Sequence, residues 1–214
     1  MKQGAFDLSF PKDYSDKNFY VDSYNEDAYR WIKIWPQKKF DHIHFACIHG
    51  PKSCGKSHLM HIWKHYCKAT IIEKIGQSPY DLVEKNKFFI LPHIDEIKDH
   101  RWLFYLYNVF LQHKCYLLTT AYKSPNLWKA ETEDLKSRFK MFYPVEIKRP
   151  EHLDVLLRKM LKSRGLAMSD FQIQYTLRRI ERSFNSLYEF AAKVDEIQQT
   201  TGQLKFKDVV NLCS

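Results

Sequence analysis

Gly50-Pro51-Lys52-Ser53-Cys54-Gly55-Lys56-Ser57 matches G-x-x-x-x-G-K-[S/T] at every fixed position. Gly50 and Gly55 permit a tight turn in which successive backbone N–H groups face phosphate oxygens. Lys56 supplies a cation for the outer phosphates, and the Ser57 hydroxyl can ligate Mg²⁺. The flanks support this reading. Ile43-His44-Phe45-Ala46-Cys47-Ile48 is short, β-branched and aromatic, as a buried strand should be. After the loop, Leu59, Met60, Ile62 and Trp63 recur at helical spacing, so the turn opens into a helix whose N-terminus favours an anion. A strand–loop–helix of this composition predicts binding of a nucleoside di- or triphosphate through Pro51, Lys52, Ser53, Cys54, Gly55, Lys56, Ser57 and His58.

The 214 residues, 44% of them hydrophobic, suffice for one α/β domain with a small appendage. No apolar run approaches a membrane span, and Met1-Lys2-Gln3-Gly4 lacks the apolar core of a signal peptide. No membrane association is expected. The five cysteines are odd in number, scattered and without C-x-x-C spacing, which fits reduced thiols in a cytoplasmic protein and indicates no zinc site. A formal charge of +9 invites a nucleic-acid reading, but the lysines are dispersed, a pattern more often of a solvated face than of phosphate binding.

Along the chain, residues 1–18 read as a polar tail with one apolar cluster, Phe6, Leu8 and Phe10. A helix is expected from Asn25 to Trp35, ended by Pro36. After the phosphate loop and its helix come strands at Thr70-Ile71-Ile72, Lys87 to Leu91, Cys115 to Thr120 and Tyr143 to Ile147. Helices are expected at Pro79 to Glu84 with a Ser78 cap, at Trp102 to Leu111, and at Asp134 to Phe139. From Glu151 the pattern becomes all helical: His152 to Arg164, Asp170 to Arg182, Asn185 to Gln199 and Lys207 to Leu212. Strands alternating with helices predict an α/β fold with a parallel sheet over 19–148, and the helical end predicts a lid over 149–214.

Other residues bear on the chemistry. Phe88 to Leu91 is the strand that should end in acidic residues holding Mg²⁺, but Pro92 and His93 follow it, with Asp95-Glu96 just beyond. Either the strand bulges and Asp95 takes the metal role, or the acidic positions have become Pro92 and His93; the second reading is preferred. Thr119 or Thr120, at a strand end, either hydrogen-bonds a terminal phosphate or water or is an ordinary strand threonine. Arg138 closes a short helix, where arginines of this kind are either solvated or delivered into a neighbour's nucleotide site. Arg178, Arg179 and Arg182 are expected on the lid helices, either against bound phosphates or as surface charges.

Taken together, QGAFDLSF at the N-terminus, Phe19-Tyr20-Val21 to Asn25 followed by a helix ending WIKIWP, the loop HGPKSCGKSHLMHIW, WLFYLYN, LLTTA followed by SP and W, DLKSRF and RRIERS resemble the DnaA-related AAA+ family of P-loop proteins. Within it the chain is most similar to the short Hda type that inactivates the replication initiator. The resemblance covers nearly the whole chain. It implies bound ADP or ATP with Mg²⁺. It also implies a tail (Gln3, Phe6, Asp7, Leu8 and Phe10) that docks on the DNA polymerase III sliding clamp, and an arginine finger, Arg138, that stimulates ATP hydrolysis by bound DnaA. Thr120 falls at the first sensor position. The second-sensor position falls at Asn185, with Arg182 one helical turn earlier as its substitute. The family's acidic pair falls at Pro92-His93, and Gly4 stands where leucine is common in the clamp segment. With no basic helix-turn-helix before Ser214, sequence-specific DNA binding is not expected, while assembly into a homo-oligomer is compatible with the family.

Two functions follow. One is a clamp-tethered regulator that switches DnaA off through Arg138. The alternative is an intrinsic P-loop ATPase of the helicase-loader type, touching single-stranded DNA through its basic face. Whether the chain hydrolyses ATP itself is the point on which they divide.

Overall fold

The computed structural model describes residues 14–37, 39–203 and 205–213. Its centre is a five-stranded sheet in the order β2-β3-β4-β1-β5, with every neighbouring pair parallel. The strands are β1 (Phe45–His49), β2 (Thr70–Ile71), β3 (Phe88–Leu91), β4 (Tyr116–Ala121) and β5 (Tyr143–Glu146). Pro144, which has no N–H to give a ladder, is tolerated because β5 is an edge strand. Alternation along the strands separates two cores. Phe45, Cys47, Phe89, Leu91 and Leu117 face one side; Ala46, Ile48, Ile90, Leu118 and Val145 face the other.

The first face is covered by α3 (Pro79–Val83), α4 (His100–Gln112) and α5 (Glu133–Phe139). Ser78 occupies the N-cap of α3, but Pro79 begins the helix and the serine side chain makes no capping bond. The second face carries α1 (Glu26–Ile34) and α2 (Lys56–Cys67). Trp31, Trp35 and Trp63 stack there with successive ring centroids 4.9 Å apart. Two of the indoles are pinned by their N–H groups, Trp35 to the Ile43 carbonyl and Trp63 to that of Trp35.

The helices α6 (Leu153–Lys162), α7 (Asp170–Leu177), α8 (Phe184–Thr201) and α9 (Phe206–Leu212) pack on one another. Their interior, including Leu157, Ile173, Leu187 and Val194, is continuous with the cluster under α1 and α2. The expected helix from Asp170 to Arg182 is shorter than its sequence pattern. It stops at Leu177, and Ser183 is the N-cap of α8, its hydroxyl accepting from Ser186 N–H. That cap sets extended backbone at Ser183, and residues 178–182 form the turn that leads into it. Arg178, Arg179 and Arg182 therefore lie in a connection and not on a helix.

Candidate functional site: the phosphate loop and its surroundings

The loop leaves the sheet between two backbone clamps. Gly50 N–H donates to the Ala121 carbonyl at the end of β4 (3.3 Å), and Ile147 N–H, just past β5, donates to the His49 carbonyl (2.8 Å). Gly50 has φ +152°, and a Cβ there would lie 2.2 Å from the Ile147 oxygen, so no other residue fits without moving β5. Ser53 (φ 57°) and Gly55 (φ 108°) complete the turn in the left-handed region. The Cys54 side chain is buried beneath Gly50, and burial pushes its thiol pKa up against the opposing pull of Lys56.

This conformation frees donors. Among the described residues, no hydrogen bond is made by the backbone N–H of Lys52, Ser53 or Gly55. Ser57 and His58 add the unpaired N–H groups of the first turn of α2, a twelve-residue helix with no acidic residue in that turn. Lys56 is 6% exposed, and its ammonium donates to the Gly50 and Pro51 carbonyls at 2.8 and 2.7 Å. The Ser57 hydroxyl lies on an exposed residue at the start of the helix. A cradle of amides with one ammonium and one hydroxyl has the chemistry of a polyphosphate site with a divalent cation at Ser57.

Beside it, β3 runs without a bulge to Leu91 and ends in a turn at Pro92-His93, where His93 adopts φ 52°. His93 N–H donates to Thr120 Oγ1 at 3.0 Å, and Tyr122 N–H donates to Asp95 Oδ2 at 2.8 Å. Thr120 is buried at the end of β4, level with Ile48, with its own O–H still available to donate. Thr119, one residue back, donates to the Ala46 carbonyl. Among the described residues no cluster of three His, Cys, Asp or Glu side chains is placed to hold a metal by itself.

Aromatic residues to which the sequence reading gave no role at the site lie around the loop. The Phe19 ring lies against Gly55, stacks on Tyr29 and meets His58 edge-on. Tyr14 stacks on His61 at 4.2 Å, and His58 Nε2–H donates to the Ser15 carbonyl. From α8, Phe184 approaches Tyr20 and Tyr24, with centroids 6.4 Å away in each case. The segment 14–24 is thereby laid across the start of α2. In the sequence this segment shows as a density of aromatics between Tyr14 and Tyr24 and, from Phe19 to Asn25, as part of the family resemblance.

The remaining expected residues fall elsewhere. Arg138, near the end of α5, turns onto α4 with its guanidinium 5.3 Å from the Tyr107 ring centroid and 5.9 Å from that of Phe104. Its Nε is buried and has no hydrogen-bond partner among the described residues. Arg138 is thus on the α4–α5 face and not gathered with Lys56. Arg182 is exposed, one residue before the cap of α8, and Asn185 donates to Glu189 within α8. Gln3, Phe6, Asp7, Leu8 and Phe10 lie outside the described residues.

Compared with known proteins, the sequence matches no protein-family model, and no curated protein matches it. Solved structures do match. Domain III of the replication initiation protein DnaA of Thermotoga maritima superposes with a TM-score of 0.71 at 17% identity, covering 94% of this chain and 96% of that one. AMPPCP-bound DnaA from Aquifex aeolicus gives 0.68 at 16% identity, covering 90% and 68%. The RuvB Holliday junction branch migration motor of Thermotoga maritima gives 0.59 at 14% identity, covering 87% and 67%. At these identities the likeness is one of fold: the α/β architecture with a parallel sheet is shared with DnaA domain III and with RuvB.

Proposed function

We propose that this chain is a nucleotide-bound AAA+ regulator of replication initiation, which docks on the sliding clamp through its N-terminal tail and stimulates ATP hydrolysis by DnaA through Arg138. The observation that carries the reading is the phosphate loop, with its free amides, Lys56 and Ser57, set in a DnaA-type fold along nearly the whole chain. ADP or ATP would be held by the amides of Lys52, Ser53 and Gly55 and by Lys56, with Mg²⁺ on Ser57 Oγ. Bound Mg²⁺ would neutralise charge on the outer phosphates. The AMPPCP in the Aquifex aeolicus DnaA supports a triphosphate of this kind. Phe19, Tyr24 and Phe184 would flank the base, and residues 149–214 would serve as the helical lid.

The regulatory half of the reading rests on Arg138. A guanidinium on the face away from Lys56, with an unsatisfied Nε, suits delivery to another molecule's phosphates better than a role in its own site. The decisive experiment mixes the purified chain with loaded sliding clamp and ATP-charged DnaA and follows hydrolysis. Faster hydrolysis that depends on both the chain and the clamp is expected. The charge of +9 favours the second reading, a helicase-loader type ATPase. ATP hydrolysis by the chain alone, rising with single-stranded DNA and indifferent to DnaA, would select that reading instead.

A further inference from the structure

Tyr122 stands over the lysine of the phosphate loop. An ammonium has three N–H groups. Two of those on Lys56 are taken by the Gly50 and Pro51 carbonyls, and the Nζ lies 4.8 Å from the centroid of the Tyr122 ring, within cation–π range. Tyr122 is the first residue after β4, and its backbone is anchored there. Its N–H donates to Asp95 Oδ2, while His93 N–H from the same turn donates to Thr120 Oγ1. These two bonds tie the segment after β3 to the end of β4, and the one from Tyr122 fixes the backbone from which its ring reaches Lys56.

A phosphate oxygen seeks the same N–H of Lys56 that the ring face covers. We infer that Tyr122 is a gate on the outer phosphates, setting nucleotide affinity by competing for Lys56, and that Asp95 is its positioning residue and not a magnesium ligand. The inference rests on the phosphate-loop reading above. It also accounts for an acidic side chain close to the strand end where a metal ligand is expected: the bond to Tyr122 N–H needs an acceptor and not a charge.

Two measurements on the full chain test it. In the first, without nucleotide, acetylation of Lys56 by sulfo-N-hydroxysuccinimide acetate is followed by peptide mass spectrometry against exposed Lys52. Tyr122→Ala and Asp95→Ala should acetylate Lys56 about two- to fivefold faster, the size of an exposed cation–π contact. Tyr122→Phe keeps the ring face and Asp95→Asn keeps an acceptor, so both should label at the parental rate. In the second, calorimetry with ADP in Mg²⁺-free buffer should find Tyr122→Ala and Asp95→Ala binding about two- to fivefold tighter. Unchanged labelling in Tyr122→Ala overturns the gate. Weaker ADP binding by Asp95→Ala and Asp95→Asn alike, and only with Mg²⁺ present, returns Asp95 to the metal. A parent chain that binds no ADP overturns the phosphate-loop reading itself, a result separable from the labelling.

Discussion

Gly50 and Ile147 meet backbone to backbone: a Cβ on Gly50 would stand 2.2 Å from the Ile147 carbonyl oxygen, at the point where β1 becomes the phosphate loop. Neither side can yield easily, because Ile147 N–H is itself bonded to His49 and Gly50 N–H to Ala121. At Gly55 the nearest atom to such a Cβ is Cε2 of Phe19 at 3.3 Å, on a ring that can shift. Gly50→Ala should therefore cost about 2 kcal/mol or more of stability, and Gly55→Ala about 1 kcal/mol, mostly backbone strain. Urea unfolding of the two variants checks this. Equal midpoints would mean that the Gly50–Ile147 approach is not a constraint.

Lys56→Ala should weaken ADP or ATP binding by about tenfold or more, the size of one charge-assisted contact. The parent's two bonds from Lys56 to Gly50 and Pro51 also disappear, so calorimetry must be paired with a thermal melt. Equal affinity in a folded variant would remove the loop from nucleotide binding.

The strand frame was legible because its signals are local. The unbroken apolar runs Phe45 to Ile48 and Phe88 to Leu91 predict strands covered on both faces, and both cores are seen. The glycines and Lys56 declare the phosphate loop by spacing alone. The end of α7 was not legible, since Arg178 to Glu181 contain no Gly or Pro to signal the stop at Leu177, which comes well before the cap at Ser183. Nor were the contacts of Tyr122 with Lys56 or of Phe19 with Gly55, which join residues that the sheet topology alone brings together. Pattern reasoning likewise leaves Arg138 solvated or extended, and its packing on Tyr107 depends on how α5 crosses α4.

Stability should fall on mild acidification. His49 and His61 both have pKa values held below the usual 6.5, chiefly by burial. At His49 Lys56 adds to this and Glu146 opposes it; at His61 Lys64 and His58 add to it. The unfolded chain therefore binds more protons than the folded one as pH drops through 6.5. Their contribution is intact above that pH and is lost as pH falls through the folded values. Urea midpoints at pH 7 and pH 5 should differ, with the lower at pH 5, and the imidazole signals of His49 and His61 should titrate below 6.5. A His61 that titrates above 6.5 contradicts its burial beneath Tyr14.

Clamp docking, as proposed, belongs to the first ten residues. An extended segment can set Gln3, Phe6, Leu8 and Phe10 into a preformed groove, where a few buried anchors carry most of the energy. Deleting residues 1–10 should abolish co-elution with the clamp. It should leave ADP affinity alone, because the variant keeps Tyr14 and Ser15, which contact α2 beside the loop. Clamp binding that survives the deletion would assign the interaction to another surface.

Arg138 separates a regulator from a self-contained ATPase. Its guanidinium rests on Tyr107 and Phe104, and its buried Nε has no partner among the described residues, so little beyond ring contacts opposes its leaving. Brought against the γ-phosphate of another molecule, it would stabilise charge developing in the transition state, an effect of roughly 10³–10⁵ in rate for such fingers in GTPases. Lysine carries the charge but not the planar fork. Arg138→Ala and Arg138→Lys should both lose stimulation of DnaA's ATP hydrolysis, and both should still bind nucleotide, because Lys56 meets Gly50, Pro51 and Tyr122 without help from Arg138. The measurement is DnaA hydrolysis with loaded clamp, with parent and variants at matched concentration. Full stimulation by Arg138→Ala would end the finger proposal. Loss of the chain's own nucleotide binding would make Arg138 a support of its own fold and site, acting through α4 and not in a partner.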